Sequence, residues 1–328
     1  MAMRIRSAGY GLYAFKVGLL AATYVAVARI GLKLDPVSGF ATFVWPPTGL
    51  SLAVLVLFGR SLWPGIALGA AVVNVWSGAP IAVACGIALG NTLEAVLGAY
   101  VLWRVPGFRP NLDRLADALA LVAFAALAST VVSATIGVSS LYVGGLMPGA
   151  RFGETWLVWW QGDAIGDLVV APFLLSWASG LRIRTTRLRV GEAVALAAAL
   201  LVASVVLLDG NPAVQSGLSA FRQPTTLLPL LIWAAVRFGT TGATGATLLV
   251  SSVAVWTTVA GRGPFIRPEL HQSLGVLQAF MSVVAVTFLV LGAMTAERRR
   301  IDRERTELFH RERVARAYAE EMKQRRLG

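Results

Sequence analysis

Trp156-Leu-Val-Trp-Trp-Gln-Gly-Asp-Ala-Ile-Gly-Asp-Leu-Val-Val-Ala-Pro-Phe-Leu-Leu-Ser-Trp177 has the length and oiliness of a membrane-spanning helix, yet it carries two aspartates. Asp163 and Asp167 are four apart, so they share one helix face. At ~1.5 Å rise per residue, Asp163 lies roughly 10 Å in from Trp156, and Asp167 about one turn deeper. An ionised carboxylate facing lipid at that depth is costly, so both should face the protein interior or a wet cavity. Two acids one turn apart also repel: either one is protonated or the pair shares a cation or an arginine. Gly162 and Gly166 stand beside them at the spacing that lets another helix or a ligand come close. Two readings stay open. One is a polar site inside a helical bundle; the other is a pair of aspartates that bond neighbouring helices and hold the bundle together.

The rest of the chain agrees with a membrane setting. It is 56% hydrophobic and only 14% charged over 328 residues, with a mean hydropathy of +0.69. That is an all-α polytopic transmembrane bundle rather than a soluble core. A single cysteine, Cys85, excludes a disulfide framework, and His271 and His310 are too few for a histidine metal cluster. The net charge of +12 invites a nucleic-acid reading, but residues 296–328 alone hold 11 basic and 7 acidic residues. The remaining basic residues fall mostly between apolar runs, where they read as topology signals. Nucleic acid is therefore not an expected partner.

Ten segments follow in order, at about 10–33, 47–59, 62–77, 81–103, 114–136, 156–177, 190–208, 229–239, 241–260 and 271–295. Asp35-Pro36 breaks the first. Pro46-Pro47-Thr48 opens a short second helix with Trp45 at the interface. The second and third are too short for easy crossings, so eight to ten crossings are expected. Arg60, Arg104, Arg109, Arg114, Arg182, Arg184, Arg187 and Arg189 place one set of loops, and both termini, on the cytoplasmic side. Gly65-Ile-Ala-Leu-Gly69 recurs as Gly86-Ile-Ala-Leu-Gly90, two close-packing faces. Asn91 and Glu94 share a face near the middle of the fourth segment, and Glu94 is a second candidate beside the aspartates. Ser129, Thr130, Ser133 and Thr135 make a polar seam at the end of the fifth. Gly137 to Gly153 reads as a Gly/Ser-rich outer stretch, with a re-entrant piece as an open alternative. Arg237 either snorkels to the inner surface or pairs with an interior aspartate.

The last span runs on as a charged helix without Gly or Pro until Gly328. Met294, Ile301, Leu308, Ala315 and Met322 recur every seven residues, as in a coiled coil. The companion row of Glu304, Arg311 and Tyr318 is mostly polar, so the alternatives are a weak homodimer seam or a solvated single helix. Glu307–Arg311, Glu312–Arg316 and Glu321–Arg325 are favourable i,i+4 pairs. Domains are thus expected at 1–295, the membrane part, and 296–328, a cytoplasmic linker helix.

No P-loop, G-x-S-x-G, H-E-x-x-H or C-x-x-C motif is present, and the residues name no cofactor, catalytic group or metal site. Six motifs in order resemble the bacterial membrane-associated sensor domain, type one of the MASE families, across about residues 10–298. They are Trp45-Pro-Pro-Thr-Gly49, Gly90-Asn-Thr-Leu-Glu-Ala95, Ser133-Ala-Thr-Ile-Gly137, Trp159-Trp-Gln-Gly-Asp-Ala-Ile-Gly-Asp-Leu168 with Ala171-Pro172, Trp233-Ala-Ala-Val-Arg-Phe-Gly239, and Gly261-Arg-Gly-Pro-Phe265. The resemblance implies an integral-membrane input domain, fused in its family to histidine kinase, diguanylate cyclase, phosphodiesterase or phosphatase modules. Here the output module is expected to be absent, from truncation or because a partner supplies it. The expected partners are the lipid bilayer, a second copy through the tail helix, and a cytoplasmic output module. The candidate polar core is Asp163, Asp167, Glu94, Asn91, Trp45, Asn74, Trp159, Trp160 and Arg237. A small-solute or ion carrier, or a scaffold for another membrane protein, is the alternative function.

Overall fold

A computed structural model describes residues 2–327 apart from 33–39, 41, 181–186 and 210–222. The break at Asp35-Pro36 and the basic residues Arg182 and Arg184 lie outside the described residues. The described chain is all-helical, with no strand. We number the helices α1 (Ala2–Gly31), α2 (Pro46–Phe58), α3 (Trp63–Trp76), α4 (Ile81–Leu102), α5 (Leu115–Val143), α6 (152–180), α7 (Arg187–Leu208), α8 (Leu228–Val259) and α9 (Leu270–Leu327). Six of them, α1, α4, α5, α7, α8 and α9, are long and apolar enough to cross a membrane.

Local sequence accounts for the breaks. Pro46 and Pro47 occupy the first helical positions of α2, where their missing N–H groups cost nothing. Gly59 ends α2 at φ +103°, a conformation that side chains with a Cβ avoid. At Gly239 (φ +65°, ψ −147°) α8 folds sharply. The Ala234 carbonyl comes so close to Gly242 that a Cβ there would collide with it. In a straight helix residues eight apart are about 12 Å apart, so 228–238 doubles back on 240–259. The separate segments expected at 229–239 and 241–260 are thus two arms meeting at one glycine.

Two expectations about boundaries need correction. The stretch from Gly137 is not all loop, because α5 continues to Val143. The ring of Trp159 lies against Gly137, so the glycine marks a close approach between helices rather than a break. Helices α5 and α6 are also not uniformly α-helical: residues Leu121–Ser129 and Gly166–Val170 are wound as π-helix.

The repeated Gly-x-x-x-Gly pairs do close-pack, against different neighbours. Gly65 and Gly69 face Leu20 and Tyr24 of α1, whereas Gly86 and Gly90 face Ser140 and Ile136 of α5.

Contacts gather the basic ends of the helices on one face. The Tyr13 hydroxyl donates to the Ser61 carbonyl (2.9 Å), and Arg60 stacks on Tyr100. The Leu115 amide donates to Glu297 (3.0 Å). Arg299 donates to the carbonyls of Arg237 (2.9 Å) and Val236 (2.5 Å), and Arg237 pairs with Glu192 (2.6 Å). Here α9, one unbroken helix of 58 residues, leaves the bundle, and its part beyond Glu297 projects by about 45 Å. Its outer part is a rod whose side chains are exposed where described, Ile301, Leu308 and Phe309 included. Of the expected tail pairs Glu312–Arg316 forms; Arg300–Glu304 (3.9 Å), which was not expected, forms as well. Glu307–Arg311 is not an ion pair among the described residues, and the side chains of Glu321 and Arg325 lie outside them.

Candidate functional site

The core of the bundle is built where non-helical backbone meets α6. Residues 42–45 lead into α2 without regular secondary structure, and the Trp45 amide donates to the Gly162 carbonyl (3.0 Å). This contact exists because α6 has no side chain there. A Cβ on Gly162 would strike the Thr42 carbonyl, and one on Gly166 the Trp45 carbonyl. Irregular backbone at membrane depth is tolerated only when protein surrounds it. Gln278 of α9 supplies further cover, donating to the Phe43 carbonyl (2.7 Å).

That docking aims the N-terminus of α2 at the first aspartate. The Thr48 hydroxyl, in the first turn of α2, donates to Asp163 Oδ1 (3.0 Å). The positive end of the helix dipole favours an acid at this position. Asn91 then ties three helices together. Its amide donates to the Tyr24 hydroxyl (2.8 Å), and its carbonyl oxygen accepts from Ser133 (2.8 Å). Ser133 accepts in turn from the Trp159 indole (3.1 Å). Glu94 lies one turn along α4, with Asp163 and Asp167 as its electrostatic neighbours.

The three acids are each 1% exposed. Among the described residues no donor reaches Glu94 Oε1, Asp163 Oδ2 or Asp167 Oδ1. Every ion pair of the described residues lies elsewhere, so no arginine is shared between the aspartates. Nor do three acidic, histidine or cysteine side chains gather closely enough among the described residues to hold a metal ion. A buried polar atom left without a partner costs about 1–3 kcal/mol, so the packing here is held against that loss. Asp167 itself sits in the π-helical turn of α6, which packs beside the π-helical stretch of α5. Such insertions are frequent at functional sites. The cavity beside Asp163 is lined by Phe40, Trp45, Asn74, Asn91 and Trp159, and holds about 10 Å³. That is room for about one water molecule.

Of the nine candidate residues, seven converge here: Asp163, Asp167, Glu94, Asn91, Asn74, Trp45 and Trp159. Trp160 does not. It stacks on Trp156 (6.1 Å) and donates to the Leu127 carbonyl of α5 (3.0 Å) rather than to an acid. Arg237 does not reach an interior aspartate; it stays part exposed at the rod face and pairs there with Glu192 of α7. Sequence reasoning missed Tyr24 and did not assign Thr48 or Ser133 to the core. Tyr24 sits mid-span with a hydroxyl that must find a partner when buried, and that was its readable signal.

A polytopic helix bundle with a buried acidic core, continued by a charged rod, defines an integral-membrane protein of the all-helical class. The chain belongs to the MASE1 family, whose profile matches residues 17–299. It is also 28% identical over 221 residues to the probable diguanylate cyclase DgcE of Escherichia coli (strain K12). That match takes in 64% of this chain and 18% of the relative, so the chain spans less than a fifth of that protein's length. No solved structure matches.

Proposed function

We propose that this chain is a signal-input domain whose polar core selects between two packings of the bundle and hands the choice to the rod. Arg60, Arg104, Arg109, Arg187 and Arg189 then mark the cytoplasmic side. The rod enters the cytoplasm there and biases an output module of the diguanylate cyclase or histidine kinase kind. The membrane part ends near residue 295, and the rod beyond it pairs with a second copy through Met294, Ile301 and Leu308, which are exposed in the single chain.

The observation that carries this reading is that one helix touches both regions. Through Ser133, α5 bonds to Asn91 and Trp159 in the core. At its start, the Leu115 amide is capped by Glu297 at the base of the rod. The two points are 18 residues apart on α5, about 27 Å along its axis. A shift or rotation of α5 that relieves the acids therefore loads the Glu297 contact. A bias of about 1–3 kcal/mol is enough for regulation.

A carrier would need a solute path, and the cavity beside Asp163 has room for about one water. The test joins a diguanylate cyclase module to the end of the full chain and measures cyclic di-GMP in cells. Asp163→Asn, Asp167→Asn and Glu94→Gln should each change the output at unchanged membrane insertion. Wild-type output from all three would sink the proposal.

A further inference from the structure

A second cavity lies away from the acids, between α6, α7 and α8 near the rod face, with a volume of about 310 Å³. That is within the range of small-ligand clefts, roughly 300–1,000 Å³. Phe173, Trp177, Leu196, Leu200, Phe238 and Leu249 line it, and its surface is almost wholly apolar. The Trp177 indole has already given its proton to the Thr241 carbonyl (3.1 Å). Ala197 and Trp177 are exposed on its wall, so the slot opens sideways.

At the rod-side end of the slot the charge changes character. Arg299 feels Arg189, Arg237 and Arg303 as near neighbours. Two of these four are occupied within the protein: Arg237 by Glu192, and Arg299 by the carbonyls of Val236 and Arg237. Arg189 and Arg303 form no ion pair within 4 Å among the described residues; Glu192 lies near Arg189 but is bonded by Arg237. Arg189 stands one turn before Ala193, on the α7 face that continues through Leu196 and Leu200 into the slot. Arg303 stands one turn beyond Arg299 on the rod.

We propose that this slot seats an acyl chain of an anionic phospholipid from the adjoining leaflet, with the lipid phosphate held by Arg189 and Arg303. An apolar groove open to the membrane and capped by unpaired cations suits this ligand, because both parts of an anionic lipid find complementary surface. A zwitterionic lipid satisfies the groove but carries its own cation to the arginines. The site stands independently of the signal-input reading, although it would bring lipid to the base of the rod.

The test is native mass spectrometry of the full chain released from nanodiscs of equal parts dioleoyl phosphatidylglycerol and dioleoyl phosphatidylcholine. Phosphatidylglycerol should be retained in preference. Arg189→Gln and Arg303→Gln should each lower that retention about fivefold, the equivalent of ~1 kcal/mol per arginine. Ala197→Phe, which fills the slot from an exposed position, should lower it with both arginines intact. Equal retention of the two lipids would overturn the proposal. So would unchanged retention in Ala197→Phe, or displacement of the lipid by millimolar inorganic phosphate.

Discussion

The acidic core and the base of the rod use the same kinds of group in opposite ways. In the core, three buried carboxyl groups face one another, and each keeps an oxygen that no donor reaches. At the rod base, charges meet helix ends. Glu297 caps the start of α5, Arg299 caps the carbonyls at the end of the first arm of α8, and Arg237 meets Glu192. The first region leaves acid oxygens unbonded at membrane depth; the second joins helix ends by latches, although Asp117 and the Arg300 Nε beside them also lack a hydrogen-bond partner among the described residues. A bundle with this division can be unsettled at its centre and still transmit the disturbance through contacts that hold.

The sharpest way to break the comparison is to remove the docking that creates the core. Gly162→Leu or Gly166→Leu should cost about 3 kcal/mol or more, because backbone carbonyls cannot step aside. Thermal unfolding of the purified protein measures this, and a wild-type melting curve would dissolve the core as described. Next, Asn91→Leu removes the link between Tyr24 and Ser133. It should lower stability by about 1–3 kcal/mol and change the output of the cyclase fusion. At the rod base, Glu297→Ala should cost ~1 kcal/mol, the usual loss for a helix cap. Glu297→Gln retains an acceptor and should lose less, and both should weaken the output response.

Two smaller effects sharpen the boundary between the regions. Trp160→Phe deletes one partly exposed hydrogen bond, about 0.5 kcal/mol, and should leave output unchanged because the Trp160 indole bonds a backbone carbonyl of α5 and not an acid. Asp113 lies in the loop before α5. Burial raises its carboxyl above the ordinary carboxylate range, with Thr240, Arg109 and Arg300 pulling it partly back. A group bound more tightly to its proton in the folded state weakens the fold as pH rises through the folded value. Asp113→Asn should therefore match the wild type in acid and melt slightly higher once Asp113 is ionised, as pH-dependent melting would report.

The class of fold was legible because hydropathy is read one residue at a time, and the inward aspect of Asp163, Asp167 and Glu94 followed from the expense of placing them in lipid. Asn91 was found because a polar residue at mid-span needs a partner. The two π-helical stretches were invisible, since their cause is tertiary: α5 and α6 rewind where they meet, and no local residue demands it. The partner of Arg237 was missed for a related reason. An arginine chooses the nearest acid, and Glu192, 45 positions earlier, becomes nearest only after α7 and α8 pack. Gly239 was read as the end of a segment, but its positive φ makes it the apex of a fold-back that periodicity does not display.

The most direct measurement is a double-mutant cycle on cyclase output, with Asn91→Leu in the core and Glu297→Gln at the rod. Substitutions so far apart and without shared partners ordinarily add to within about 0.5 kcal/mol. If α5 joins the two regions, the pair should depart from additivity by about 1 kcal/mol or more. Strict additivity would show that the acids and the rod act independently, and would contradict the coupling proposed here.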